Sequence, residues 1–195
     1  MNVWVLKPGD GILYMKVGTH AQESLEDIFV RKSLEIEEAG LAFWGYGGNT
    51  CHPQRMVQPF ARQYEERGGV IYLCMQPMDS RHFADQIAAD EYSVNGIDWQ
   101  PVPKGVKVLG SRYALLIKNL RKDEFELPLD RTRVAIGNSM GTVGSNYIAG
   151  RVDKACLEIV GENSGAVATP AVAPVHIGLI AELVDPYAVY VRNTP

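Results

Sequence analysis

The sequence has few cysteines, and none of them is placed as a disulfide framework or a zinc site requires. Cys51, Cys74 and Cys156 are odd in number and widely spaced, with no C-x-x-C pair. A structural zinc site needs clustered Cys and His ligands, and the four histidines show no H-x-H or H-x-x-x-H spacing. We therefore predict no metal site and no particular cofactor, and we expect reduced thiols in a cytoplasmic protein.

The sequence also has no long apolar run. No stretch approaches the roughly 20 apolar residues that a membrane-spanning helix needs. The N-terminus has neither the basic lead nor the apolar length of a secretory signal. The net charge of −4 argues against a protein that coats nucleic acid, because neutralising phosphates requires a basic face. We expect neither a membrane nor a nucleic acid as partner.

The composition, by contrast, is that of an ordinary globular protein. With 195 residues, 46% of them hydrophobic and 22% charged, the chain is expected to form one domain over residues 1–195. Apolar residues recur at helical spacing after Thr19 and after Pro53, whereas short apolar runs between Gly, Asp, Asn and Pro dominate the second half. The prediction is an α+β fold, with helices mainly in the first half packed on a mixed or antiparallel sheet built largely from the second half. A β-α-β alternation is missing after about residue 92, which argues against a doubly wound nucleotide-binding fold.

Two further elements are predicted in the middle of the chain. Asp79 or Ser80 has the side chain of a helix N-cap, and Phe83, Ala84, Ile87 and Ala88 follow at helical spacing. The sequence therefore predicts a third helix there. The apolar run Lys107 to Leu109 is predicted to form one of the short strands of the second half.

The C-terminal third divides into a linker and a pair of strands. Residues 161–174 are rich in Ala, Gly and Pro and are predicted to form an irregular linker. The apolar runs on either side of Asp185-Pro186 then predict a β-hairpin over 175–192, because Asp-Pro is typical turn chemistry.

The densest group of unusual side chains lies between Phe43 and Pro53. This stretch, FWGYGGNTCHP, combines two large aromatic rings next to three glycines with a thiol and an imidazole. Glycine lets a backbone approach another surface closely, and aromatic rings offer flat, rigid walls. The segment is therefore expected to line a binding or reaction pocket.

A second glycine-rich stretch follows a predicted strand at residues 137–147. Its first part, GNSMG, contains the G-x-S-x-G pattern that places a nucleophilic serine in α/β-hydrolases. The residues that follow are poor helix formers, so a turn between strands is the favoured interpretation. The same residues offer backbone N–H groups and hydroxyls that can form an anion-binding nest, with Arg151 and Lys154 as cationic partners.

Together the two stretches predict a small-molecule-binding protein whose ligand is planar and anionic, with a nucleotide as the preferred candidate. The aromatic rings would stack on the ligand, and the glycine-rich backbone and the cations would hold its anionic part. The predicted ligand-binding residues are Trp44, Tyr46, Gly47, Gly48, Asn49, Asn138, Ser139, Thr142, Ser145 and Arg151.

Two alternatives from other classes stay open. One is a hydrolase, with Cys51 activated by His52 or another histidine, or with Ser139 as nucleophile. The other is a protein-interaction module in which the 161–174 segment or the C-terminal hairpin pairs with a partner by strand addition. The exposed edge needed for such pairing would also favour homodimers.

Overall fold

A computed structural model of the protein describes residues 6–47, 54–82, 86–148, 152–161 and 174–194, with the backbone alone described at 80–82. In these residues the fold is mixed α/β, with a large sheet of nine strands and three helices. The strands are β1 (Gly11–His20), β2 (Ala42–Gly45), β3 (Ile71–His82), β4 (Glu91–Ser93), β5 (Gln100–Pro101), β6 (Tyr113–Leu127), β7 (Thr132–Val134), β8 (Lys154–Ile159) and β9 (Val175–Arg192). The helices are α1 (Leu25–Ala39), α2 (Gln54–Glu65) and α3 (Gly144–Tyr147), and a 3-10 turn covers Leu129–Arg131.

The sheet has the strand order β2-β6-β9-β3-β1-β8-β7, and β4 and β5 extend it from β9. The central pair, β1 and β3, is parallel, and the other pairs described are antiparallel. The mixed sheet confirms the coarse prediction of an α and β fold. The finer prediction, with helices mainly in the first half and a sheet built largely from the second, is not confirmed, because β1, β2 and β3 all lie in the first half.

The helices α1 and α2 pack on one face of the sheet. Their apolar side chains Ile28, Val57, Phe60 and Tyr64 join one core cluster with side chains from β1, β3, β6 and β9. Helix α1 begins at the cap Ser24, whose hydroxyl accepts a hydrogen bond from Asp27 N–H at 3.1 Å. Two further clusters cover the opposite face. The sheet is thus buried on both sides, as the continuous apolar run in β3 predicts.

A buried ionic cluster ties α1 to the chain before β6. Lys32 and Glu35 are only 2% and 3% exposed, and their Nζ and Oε2 atoms lie 3.0 Å apart. The other Glu35 oxygen accepts hydrogen bonds from Arg31 Nη1 at 3.0 Å and from Lys107 N–H at 3.1 Å. Burial lowers the pKa of Lys32 to about 8, although the charge of Glu35 raises it. The cluster anchors the segment whose Val106 and Val108 cover β6.

The helix predicted after Asp79 or Ser80 is not formed at its start. Instead β3 continues to His82, because its backbone stays paired with β1 as far as His20, across a register shift between Val17 and Thr19. Residues 83–85 lie outside the described part of the chain. The predicted strand at Lys107–Leu109 is also absent, and only an isolated bridge joins Leu109 to Ala88. In both places long-range pairing outweighs local preference.

The predicted C-terminal hairpin is wrong as well. Residues 175–192 form the single strand β9, which pairs with β6 from Leu127↔Val175 to Tyr113↔Tyr190. The Asp185-Pro186 peptide is cis and falls where the register shifts between Leu115↔Ala188 and Ile117↔Leu183. The Asp-Pro signal therefore marks an irregularity inside a strand. The linker predicted at 161–174 lies almost wholly outside the described residues.

The two buried thiols predict a loss of stability in alkali. Burial raises the pKa of both Cys74 and Cys156 well above the ordinary value of about 8.5. The folded state keeps these protons while the unfolded state releases them, so the stabilisation is complete below about pH 8.5 and is lost as pH rises. Each thiol is expected to lower the free energy of unfolding by about 1.4 kcal/mol per pH unit above that point.

Urea denaturation between pH 7.5 and 10.5 measures this slope. The control is the double variant Cys74→Ala, Cys156→Ala. Its free energy of unfolding should fall less steeply with pH, because the two thiols no longer contribute to the slope. The comparison is needed because the pKa of Lys32 is lowered to about 8. Between that pH and the ordinary pKa of lysine, Lys32 makes the free energy of unfolding rise with pH, which is opposite to the effect of the thiols. Equal slopes in the two proteins would contradict the prediction.

Candidate functional site

A lysine of β8 contacts the described end of the first glycine-rich stretch. Lys154 begins β8, and its Nζ donates a hydrogen bond to the carbonyl oxygen of Gly47, just beyond β2. The same ammonium lies 5.0 Å from the centre of the Tyr46 ring. It is a cation–π contact at the described end of the aromatic stretch.

This contact requires the sheet to curl. Five strand spacings separate β2 from β8 in the strand order, which is about 24 Å in a flat sheet. Gly47 follows Gly45 by two residues, which span at most about 7 Å. Only a strongly curved sheet brings the two ends within reach of a lysine side chain.

The second glycine-rich stretch follows the strand that pairs with β8. Strand β7 pairs with β8 at Val134↔Leu157, and Ala135 N–H continues the ladder to the Cys156 carbonyl at 2.9 Å. The described pairing ends there, two residues before Gly137 in one chain segment and two residues after Lys154 in the other.

The electrostatics at this point are those of a poorly neutralised buried cation. Lys154 is 6% exposed, and its nearest described carboxylate oxygen, Asp153 Oδ2, is 3.9 Å away. The other Asp153 oxygen, Oδ1, is buried and has no hydrogen-bond partner. A buried charge is costly unless it is closely paired, so this lysine favours a further anion nearby.

Tyr14 and Gln76 form a separate polar contact on the other face of the sheet, where Tyr14 belongs to a different core cluster. Tyr14 donates a hydrogen bond from its hydroxyl to Gln76 Oε1. Burial and, secondly, the charge of Asp153 raise the pKa of Tyr14 to about 12. The phenol therefore stays protonated near neutral pH and serves as a hydrogen-bond donor.

The 137–147 stretch forms two consecutive turns followed by a short helix. Met140 N–H donates to the Gly137 carbonyl at 3.1 Å, and Thr142 N–H donates to the Ser139 carbonyl at 3.0 Å. Gly137 and Gly141 have φ of +86° and +89°, which only glycine adopts without strain. The predicted turn is present, but the helix α3 follows it in place of a strand.

Ser139 does not occupy a nucleophile elbow. That motif needs a serine directly between a strand and a helix, whereas Ser139 lies midway between the end of β7 and α3, which has only four residues. The two histidines with described side chains are engaged elsewhere. His20 Nε2 lies 3.0 Å from the Leu109 carbonyl oxygen, and His176 Nδ1 lies 2.9 Å from Glu126 Oε1.

The other predicted ligand-binding residues of this stretch differ in exposure. Asn138 is exposed at the turn, Ser139 and Thr142 are half-buried, and Ser145 on α3 is buried at 4% exposure. The first three have side chains that solvent reaches. Ser145 packs inside, where it supports α3.

The aromatic pair requires a correction. Trp44 is 4% exposed and Tyr46 is fully buried, and both belong to the core cluster beneath the helices. The alternation along β2 turns Trp44 inward, and the hydrogen bond from Tyr46 N–H to the Tyr113 carbonyl at 2.9 Å continues the pairing past the strand. Neither ring offers the open stacking surface that the sequence suggests. Of this group, Gly47 is exposed.

Five predicted site residues lie outside the described part of the chain. These are Gly48, Asn49, Cys51, His52 and Arg151. They fall in two short ranges, 48–53 and 149–151. In the sequence, the first range follows Gly47 directly and the second ends two residues before Asp153.

Sequence reasoning gave Lys154 a secondary place and did not include Asp153 or Tyr14 among the predicted ligand-binding residues. The available signal was a lysine at the start of an otherwise apolar strand, where an inward-facing charge needs a partner. Tyr14 sits in an alternating apolar strand and gave no such signal.

Other features of the described residues bear on function. No cluster of three or more His, Cys, Asp or Glu side chains is placed there to bind a metal ion. Within the same residues, no helix combines the length and apolar character needed to cross a membrane. Comparison with known proteins finds no matching family model, no similar curated protein and no similar solved structure.

Proposed function

We propose that the protein binds a small anionic ligand, with a nucleotide as the preferred candidate, at the point where the 44–53 and 137–147 stretches meet. The observation that carries the proposal is the Lys154 ammonium, which contacts the Gly47 carbonyl of the first stretch. Lys154 begins β8, and β8 pairs with β7, the strand that precedes the second stretch. A cation that is 6% exposed and 3.9 Å from its nearest described carboxylate oxygen attracts a second anion strongly.

The turn residues supply the neutral part of such a site. The hydroxyls of Ser139 and Thr142 and the backbone around Gly137 and Gly141 offer donors of the kind that phosphate groups accept. Arg151, three residues before Lys154, would add a second cation. Because Trp44 and Tyr46 are buried, they would shape the site from beneath and would not stack on the ligand. The anionic group of the ligand would then supply most of the binding energy.

Replacing the lysine is expected to weaken binding by tenfold to a hundredfold. Lys154→Met keeps the length and apolar character of the stem but removes a charge-assisted hydrogen bond worth about 1.5–3 kcal/mol. Isothermal titration calorimetry with ATP, GTP, AMP and inorganic phosphate measures the change. Each titration is made on protein whose fold is verified by circular dichroism.

The matched control is Lys118→Met, which makes the same change of net charge. Lys118 is 47% exposed and pairs with Glu182 at 3.7 Å, away from the glycine-rich stretches. It should leave the affinity unchanged. An Arg151→Met variant provides a second change on the proposed site. Heat from no member of the panel with wild-type protein, or equal losses in Lys154→Met and Lys118→Met, would overturn the proposal.

The hydrolase alternative is separated by thiol labelling of the folded protein. Cys74 and Cys156 are buried with raised pKa values and should react slowly. Rapid labelling by iodoacetamide at neutral pH would therefore report Cys51 and favour an activated thiol. The strand-addition alternative stays a prediction, although β9 lies inside the sheet, paired with β6 on one side and with β3 and β4 over parts of the other.

A further inference from the structure

The chain contains one Asn-Gly step, Asn95-Gly96, in the turn that follows β4. Asparagine deamidates most readily in such a step, because glycine has no side chain to hinder attack by its own backbone nitrogen. The Gly96 nitrogen would lose its proton and bond to Asn95 Cγ, and Nδ2 would leave as ammonia. Water would then open the resulting succinimide to aspartate or isoaspartate.

The attacking nitrogen is engaged in the folded protein. Gly96 N–H donates a hydrogen bond to Ser93 Oγ at 2.9 Å, and Ser93 is 0% exposed. Ser93 is itself paired with Tyr190 on β9. Gly96 has φ of +78°, and a Cβ added to it would lie 3.5 Å from the Tyr190 ring, so this glycine is packed against the same strand. The nitrogen therefore has to break its hydrogen bond before it can react.

The Asn95 amide is also held in place, although its side chain is exposed. Its Oδ1 accepts hydrogen bonds from Ile97 N–H and Asp98 N–H, both at 2.9 Å, and from the Ser93 hydroxyl at 3.1 Å. Its Nδ2 donates to Asp98 Oδ2 at 2.7 Å. Asparagine stabilises turns in this way, by bonding to backbone groups that follow it. The carbon that would be attacked is therefore fixed by several contacts at once.

We infer that Asn95-Gly96 is a deamidation site that the folded protein keeps closed, with Ser93 as the residue that closes it. Ser93 Oγ contacts both reacting groups, since it accepts from the Gly96 nitrogen and donates to the Asn95 amide oxygen. Deamidation would also disrupt the turn, because a carboxylate at position 95 would repel the Asp98 carboxylate to which the amide now donates. This inference does not depend on anion binding at Lys154, because the two sites share no residue.

Peptide mass spectrometry of the full-length protein tests the inference. Wild-type protein is incubated in one mildly alkaline buffer, either folded or unfolded in urea, and the deamidated fraction of Asn95 is followed with time. Deamidation is expected to be about a hundredfold slower in the folded protein, because several hydrogen bonds, each worth about fivefold, have to break first. Equal rates in the two states would overturn the inference.

Two variants test the contacts that close the site, each with its fold verified by circular dichroism. Ser93→Ala removes the acceptor of Gly96 N–H and one donor to Asn95, and should speed deamidation of the folded protein about tenfold. Asp98→Ala, at an exposed position, releases Nδ2 and should speed it about fivefold, which keeps the test decisive if Ser93→Ala does not fold. Ser33→Ala is the matched control, because the Ser33 hydroxyl bonds within α1. The inference fails if either folded variant deamidates no faster than Ser33→Ala.

Discussion

Glu35→Ala is expected to lower the free energy of unfolding by about 3–5 kcal/mol. The substitution leaves Lys32, which is 2% exposed, without its carboxylate at 3.0 Å, and Arg31 loses one of its two carboxylate partners. It also removes the acceptor of Lys107 N–H. Urea denaturation at pH 7 measures the loss.

Two controls separate burial of charge from loss of contacts. The double variant Lys32→Met, Glu35→Leu replaces the ion pair by apolar side chains of similar size and should recover most of the stability. Glu37→Ala, on the exposed side of the same helix, should change stability by less than about 0.5 kcal/mol. A Glu35→Ala protein as stable as Glu37→Ala would show that the cluster contributes little.

Gly144→Ala is expected to destabilise the protein by about 3 kcal/mol through overpacking. A Cβ at this position would lie 1.9 Å from Thr132 Oγ1 and 2.9 Å from the Leu129 carbonyl oxygen. Thr132 is fully buried and donates its own hydrogen bond to the same carbonyl at 2.8 Å, so neither neighbour can move cheaply. Thermal and urea denaturation measure the effect.

Gly141→Ala is the matched control, because it adds the same atom in open space. Gly141 has φ of +89° and no atom within 4 Å of an added Cβ. The only expected cost of Gly141→Ala is therefore about 1–2 kcal/mol for holding alanine in the left-handed backbone conformation. Combining Gly144→Ala with Thr132→Ala should cost less than the sum of the two single variants. Strict additivity would mean that the close approach to Thr132 is not the cause.

The sequence predicted those elements whose signals are local. Helix α1 has its Ser24 cap and its apolar spacing, and β3 has an apolar run. Errors arose where pairing partners distant in sequence decide the structure. The Asp185-Pro186 turn signal lies inside β9 because β6 holds the chain extended on both sides of it. No local pattern contains that information.

The location of the candidate site stays a prediction, and its aromatic part is corrected because Trp44 and Tyr46 are buried. The contact between Lys154 and the Gly47 carbonyl depends on the curl of the sheet, which the sequence does not encode locally. The same curl buries Trp44 and Tyr46, so that rings expected at a surface became core. In the sequence, Lys154 was not distinguishable from the other lysines and arginines of the second half of the chain.

The position of β9 has a consequence for synthesis on the ribosome. This strand is made last of the nine, yet it lies between β6 and β3 in the middle of the strand order. A nascent chain that ends before Val175 therefore holds two incomplete half-sheets with exposed edges, and neither can close around its apolar side chains. The sheet can close only once residues 175–192 have been synthesised and inserted between β6 and β3.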